Sequence, residues 1–199
     1  MTPNAPEAGL RHVVSALVVD RPGTLNRVAG LFRARTFNID SLTVGTTLEP
    51  GRSRMTVVIR GDEAHLHQVL AQLERLIEVL EVTDLTHADR LELELALVEL
   101  DAPRDAAARA AVQAVMERTG GALASAENGT WRLSLTGPPP RVEEALAELR
   151  DHGLRDLVRA GSVAMATAMR SAPDPSEGPA PSEGPAPSDS PAPRGDATP

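Results

Sequence analysis

The 199-residue chain has a formal net charge of −8, is 41% hydrophobic but only 2% aromatic, and contains no cysteine. These figures exclude a disulfide framework, a Cys-ligated metal and a thiol nucleophile, and an acidic chain so short of stacking aromatics is a poor nucleic-acid binder. The length allows one medium or two small domains around an aliphatic core. No apolar run approaches the roughly 18 residues of a membrane span. The opening MTPNAPEAGLRH has no apolar signal-peptide region, so a cytoplasmic protein is expected.

In chain order, HVVSALVV (His12–Val19) is a short β-branched apolar run and reads as a strand. Leu25, Val28, Leu31 and Phe32 then recur at helical spacing. NIDSLTV (Asn38–Val44) is a second strand, TTLEPG (Thr46–Gly51) a turn, and MTVVIR (Met55–Arg60) a third strand. Leu66, Val69, Leu70, Leu73, Leu76 and Ile77 mark a second amphipathic helix, and VLEVTDL (Val79–Leu85) alternates as a half-buried strand. The order is βαββαβ.

The pattern then repeats. LELELALVEL (Leu91–Leu100) is a strand, Arg104–Arg118 a helix, and Ala122–Ala126 and Thr130–Leu135 flank the hairpin dipeptide Asn128-Gly129. Val142–Arg150 is a helix, and a last strand lies around Val158 to Ala166. Each unit has the size of a ferredoxin-like α+β sandwich, helices on one face and an antiparallel sheet on the other. The bare sheet face or its edge invites a second copy. The expected organisation is one domain over 10–86, a second over 90–170, and a tail over 171–199. In that tail SEGPAP, SEGPAP and SDSPAP follow one another, and nine of the 17 prolines fall there. So do five acidic residues against Arg194. With almost no large apolar side chain to offset ordering entropy, the tail is expected to be disordered.

No catalytic constellation stands out. His65 and His67 sit two apart on a helix and point to different faces, which suits solvent better than a metal. Glu92 and Glu94 share a strand face, read here as the solvated face of a half-buried sheet. The feature that invites a ligand is DRPGTL (Asp20–Leu25), a turn at the junction of strand and helix. Pro22-Gly23 can reverse the chain only, or the helix starting near Thr24 can offer free N–H groups to a carboxylate. Asp20 could meet an ammonium or cap the helix, and Asn38 could add amide contacts. A zwitterionic amino acid suits that set.

A βαββαβ unit with a Pro-Gly-X-Leu turn resembles the ACT domain, a regulatory module that binds amino acids at dimer interfaces. The longer run DRPGTLNRVAGLFRARTFNIDSLTVGTTLEPGRSRMTVVIRGDE, with RVAGLF, NIDSLTV and SRMTVV spaced as they are, resembles the small regulatory subunit of acetolactate synthase. The resemblance implies a non-catalytic chain with no cofactor or metal of its own. It implies a partner, a large catalytic subunit carrying thiamine diphosphate, Mg2+ and FAD, which the small subunit activates. It also implies feedback by valine, and in some relatives leucine or isoleucine, in branched-chain amino acid biosynthesis. The ACT domains would pair as a homodimer with the effector at their interface, on positions that fall at Asp20, Gly23, Thr24, Leu25, Asn38 and Ile39. Leu25 and Ile39 would line a small apolar pocket, which separates branched side chains weakly because one methylene is worth about 1–3 kcal/mol.

Three positions depart from the pattern of such relatives. Thr36 stands where many have Gly, Glu99 where Lys is common, and Ala160 where Thr is common. Two other readings are compatible with parts of the chain. An ACT-type sensor acting on a different enzyme would share the turn. An RNA-recognition domain of the same topology would need exposed aromatics, and only Phe32, Phe37 and Trp131 are available.

Overall fold

The computed structural model describes residues 9–33 and 38–167, so the tail, Thr36 and Phe37 lie outside the described residues. The first six elements are β1 (Leu10–Val19), α1 (Thr24–Arg33), β2 (Asn38–Thr46), β3 (Arg52–Gly61), α2 (Glu63–Leu73) and β4 (Val79–Asp84). The next six are β5 (Arg90–Asp101), α3 (Ala106–Arg118), β6 (Ala122–Glu127), β7 (Thr130–Gly137), α4 (Pro139–Arg150) and β8 (Leu154–Ala166). The strands form two four-stranded antiparallel sheets, ordered β2-β3-β1-β4 and β6-β7-β5-β8. This is the duplicated ferredoxin-like α+β architecture expected from the two βαββαβ patterns.

Each sheet is covered on one face by its own two helices, and each half has its own core. Val14, Ala16 and Val18 of β1 and Val57 and Ile59 of β3 meet Val28 and Phe32 of α1 and Leu66, Val69 and Leu73 of α2. In the second half, Ala96, Val98 and Leu100 of β5 meet Val112 and Val115 of α3 and Val142, Leu146 and Leu149 of α4. The helix residues recur every three or four positions and the strand residues every two, which puts each set on one face. Asp62 and Asp105 cap α2 and α3 by accepting from the backbone N–H three residues on. Asn128 (φ 51°) and Gly129 (φ 73°) take the left-handed conformations that a two-residue hairpin turn requires.

Two details differ from the sequence reading. Helix α2 stops at Leu73 instead of carrying on through Ile77. Tight turns from Arg75 to Gln72 and from Leu76 to Leu73 redirect the chain toward β4, leaving Leu76 half-buried and Ile77 exposed. In β5 the faces are reversed from simple expectation. Ala96, Val98 and Leu100 face the helices, so Leu91, Leu95 and Leu97 are exposed. Glu92 and Glu94 point to the inner side, where they are buried among arginines instead of solvated.

The paired ends of β5 and β8 explain that burial. The Arg90–Glu94 end of β5 and the Ser162–Ala166 end of β8 pair with each other. Ala164 packs with Val13, Val58 and Leu85, on the face of the first sheet opposite its helices. The face expected to be bare is therefore covered there by the chain's own β8. The corresponding face of the second sheet exposes Leu91, Leu95, Leu97, Val158, Val163 and Met165.

Candidate functional site

The DRPGTL turn leaves β1 with two backbone anchors. Asp20 N–H donates to Gly51 O at 2.8 Å and Arg21 N–H to Val19 O at 3.1 Å. Gly23 then adopts φ 93°, a conformation that costs any side-chain-bearing residue steric strain. The chain enters α1, where Thr24 N–H donates to Arg21 O at 3.2 Å and Arg27 N–H to Gly23 O at 3.0 Å. Among the described residues no acceptor takes the N–H of Leu25 or Asn26. Two donors at the positive end of the helix are thus left over. Beside them, Thr24 is only 6% exposed, yet among the described residues its Oγ1 has no hydrogen-bond partner. Two free N–H groups at a helix start make a cradle suited to a small carboxylate, and the buried Thr24 hydroxyl stands next to them in the chain. Apart from its two chain neighbours, no atom of the described residues lies within 4 Å of where a Gly23 Cβ would stand. Asp20 and Leu25 are exposed beside it.

Asn38 and Ile39 open β2, the edge strand of the first sheet. Asn38 is exposed, and Ile39 is half-buried against the core. One chain does not bring them to the turn. Val19, the last residue before it, pairs with Arg52 at one end of β3, whereas Asn38 pairs with Arg60 at the other. Arg52 and Arg60 stand eight residues apart, which at about 3.3 Å per residue is about 26 Å along the sheet. The six candidate residues therefore fall in two separate groups at opposite ends of the first sheet.

A charged cluster that sequence reading missed lies where the two halves meet. A cleft of about 1110 Å³ there is lined by Arg11, Arg60, Arg90 and Arg159 and by Glu92 and Glu94, among others. Arg11 of β1 pairs with Glu92 of β5 and also donates to Ser162 Oγ at 3.1 Å, while Arg90 Nε donates to Glu92 at 3.0 Å. Burial pushes the Glu92 carboxyl up. The hydrogen bonds from Arg11 and Ser162 and the Arg11 charge outweigh it and hold the group below its ordinary value of 4.5. Arg159 bridges Glu94 and Glu143 at 2.5 and 2.8 Å. The hydrogen bond to Glu94 strengthens its hold on the proton against the opposing effect of burial. Such paired charges suit a structural contact more than catalysis. The only sequence signal for the cluster was Glu92 and Glu94 sharing a face, and their arginine partners lie up to 81 residues away. His65 is likewise engaged locally, its ring Nδ1 and its backbone N–H lying 2.6 and 2.8 Å from Asp62 Oδ1.

Comparison with known proteins agrees with this layout. Residues 14–81 match the family described as the AHAS small subunit-like ACT domain, and residues 93–168 match the small subunit of acetolactate synthase. A probable acetolactate synthase small subunit of Methanothermobacter thermautotrophicus is 37% identical over 80% of this chain and 95% of its own length. The acetolactate synthase small subunit of Aquifex aeolicus is 34% identical over 84% of this chain and 86% of its own length. The crystal structure of the acetolactate synthase small subunit from Thermotoga maritima superposes with a TM-score of 0.70 at 31% identity, covering 80% of this chain and 98% of that one. Matched in both halves and along nearly the full length of these relatives, the chain belongs to the acetolactate synthase small-subunit family.

Proposed function

We propose that the chain is the cytoplasmic regulatory subunit of an acetolactate synthase, and that it senses a branched-chain amino acid, valine first, at a site shared between two copies. It docks on the catalytic subunit, raises its activity and makes it subject to feedback. The observation that carries the effector site is the unpartnered Thr24 hydroxyl beside two free N–H groups at the start of α1. The separation of the two groups supports a shared site. If two β2 edges pair antiparallel about a two-fold axis, Asn38 of one copy comes opposite Thr46 of the other. Thr46 lies at the end of the sheet from which the turn departs. Each turn would then face a β2 start from the partner copy, closing two equivalent sites. The carboxylate would sit on the cradle, the ammonium near Asp20, and the branched side chain against Leu25 and Ile39.

Calorimetric titration with L-valine tests this, with glycine and aspartate as comparisons and the catalytic subunit reconstituted for activity. Saturable valine binding ahead of both comparisons is expected, together with inhibition of the reconstituted enzyme. Gly23→Asp places a carboxylate over the cradle and should weaken valine binding by about tenfold or more, equivalent to at least about 1.4 kcal/mol. Gly23→Ala shares the backbone strain without the charge and separates the two effects. Unaltered valine inhibition in Gly23→Asp would remove the turn from the site.

A further inference from the structure

We infer that two facing β-bulges, one on β2 and one on β8, form the joint through which effector binding in the first domain is felt by the second. This rests on the effector reading given above and extends it to how the signal travels. The register of β2 against β3 slips between Ile39 and Ser41, which makes Asp40 the extra residue. Its carboxylate is tied to Arg60 Nε at 2.6 Å. The register of β8 against β5 slips between Glu94 and Ala96, where Ala160 and Gly161 oppose the single residue Leu95. Gly161 has φ 81° at this slip. A bulge loosens the ladder locally and re-aims the strand, so each strand can shift at this point without parting from its sheet.

The two bulges meet. A Cβ on Gly161 would lie 2.9 Å from Ser41 Cβ and 3.1 Å from Thr43 Oγ1, so only glycine lets the strands come this close. Thr43 Oγ1 donates to Ala160 O at 3.2 Å, and Ser162 N–H donates to Ser41 Oγ at 3.4 Å. Alongside, Arg11 of β1 holds Glu92 and Ser162 of the second domain. Ser41 is two residues from Ile39, one of the proposed effector contacts, so a ligand that draws in the start of β2 moves the strand on which β8 rests. Close-packed backbone contacts respond by switching between arrangements and not by continuous deformation. Coupling of this kind is a difference in contact between two states, which this joint can supply.

The test uses the full-length chain, alone and reconstituted with its catalytic subunit. Thr43→Val removes one bond across the joint at nearly constant shape, and Gly161→Ala wedges the strands apart. Thr43→Val keeps the test open if Gly161→Ala fails to fold. Both variants should bind L-valine within about threefold of wild type by calorimetry, yet need about tenfold more valine for half-inhibition of the holoenzyme. A folded Thr43→Val inhibited as wild type is would overturn the joint. So would loss of valine binding in parallel with loss of inhibition, because the residues would then belong to the site. A wild-type holoenzyme indifferent to valine would overturn the effector reading, and this inference with it.

Discussion

On the effector reading proposed above, Thr24 is where stability and binding pull in opposite directions. Its hydroxyl is shielded from water and has no partner among the described residues, and a buried polar group left unpaired costs about 1–3 kcal/mol. Thr24→Val keeps the shape and removes the penalty. The variant should be more stable than wild type by about 1 kcal/mol in urea, while its valine affinity falls about tenfold. A variant that is less stable, or binds equally well, would deny the hydroxyl a role in the cradle. The turn itself was legible in the sequence, because Pro-Gly between an apolar run and a helical pattern admits few conformations. The isolation of the hydroxyl was not, since burial at position 24 depends on how the first turn of α1 settles against its surroundings. Nor was the distance from Asn38, which follows from strand order and not from any local pattern.

Among the elements, β5 shows how far a pattern can be trusted. The alternation of LELELALVEL announced a strand but could not say which face is the core, because leucines fall on both faces. The choice is made by the helices, which cover Ala96, Val98 and Leu100. Leu100→Ala should therefore cost about 2–5 kcal/mol as a buried truncation. Leu97→Ala should cost about 0.5 kcal/mol or less in unfolding measured at low protein concentration. Equal costs would mean that Leu97 is buried against something in solution. At the helix ends, Asp105→Ala should lower stability by about 1 kcal/mol, because the Asp105 carboxylate satisfies the N–H of Ala108 at 2.8 Å. The caps could be read from sequence in principle. The early end of α2 could not, because Leu76 and Ile77 continue its apolar period while the chain turns away.

On the scale of the two domains together, duplication was plain in the sequence, but their contact was not. It depends on a bulge and on ion pairs between residues far apart in the chain, neither of which leaves a periodic trace. That contact gives a pH signature. Glu92 of the second domain is hydrogen-bonded by Arg11 of the first, by its own neighbour Arg90 and by Ser162 of β8. Its folded-state pKa lies below the ordinary 4.5. The carboxylate contributes stability in full above that ordinary value and loses it as pH falls through the lower folded one. Glu92→Gln cannot titrate, so the stability gap between it and wild type isolates this contribution. The gap should be about 2 kcal/mol and flat at neutral pH, and should narrow progressively in acid below 4.5. Urea unfolding of both proteins across that range measures it. A gap that instead widens in acid would mean that the charged form of Glu92 is disfavoured in the fold, and that Arg11 does not hold the two domains through it.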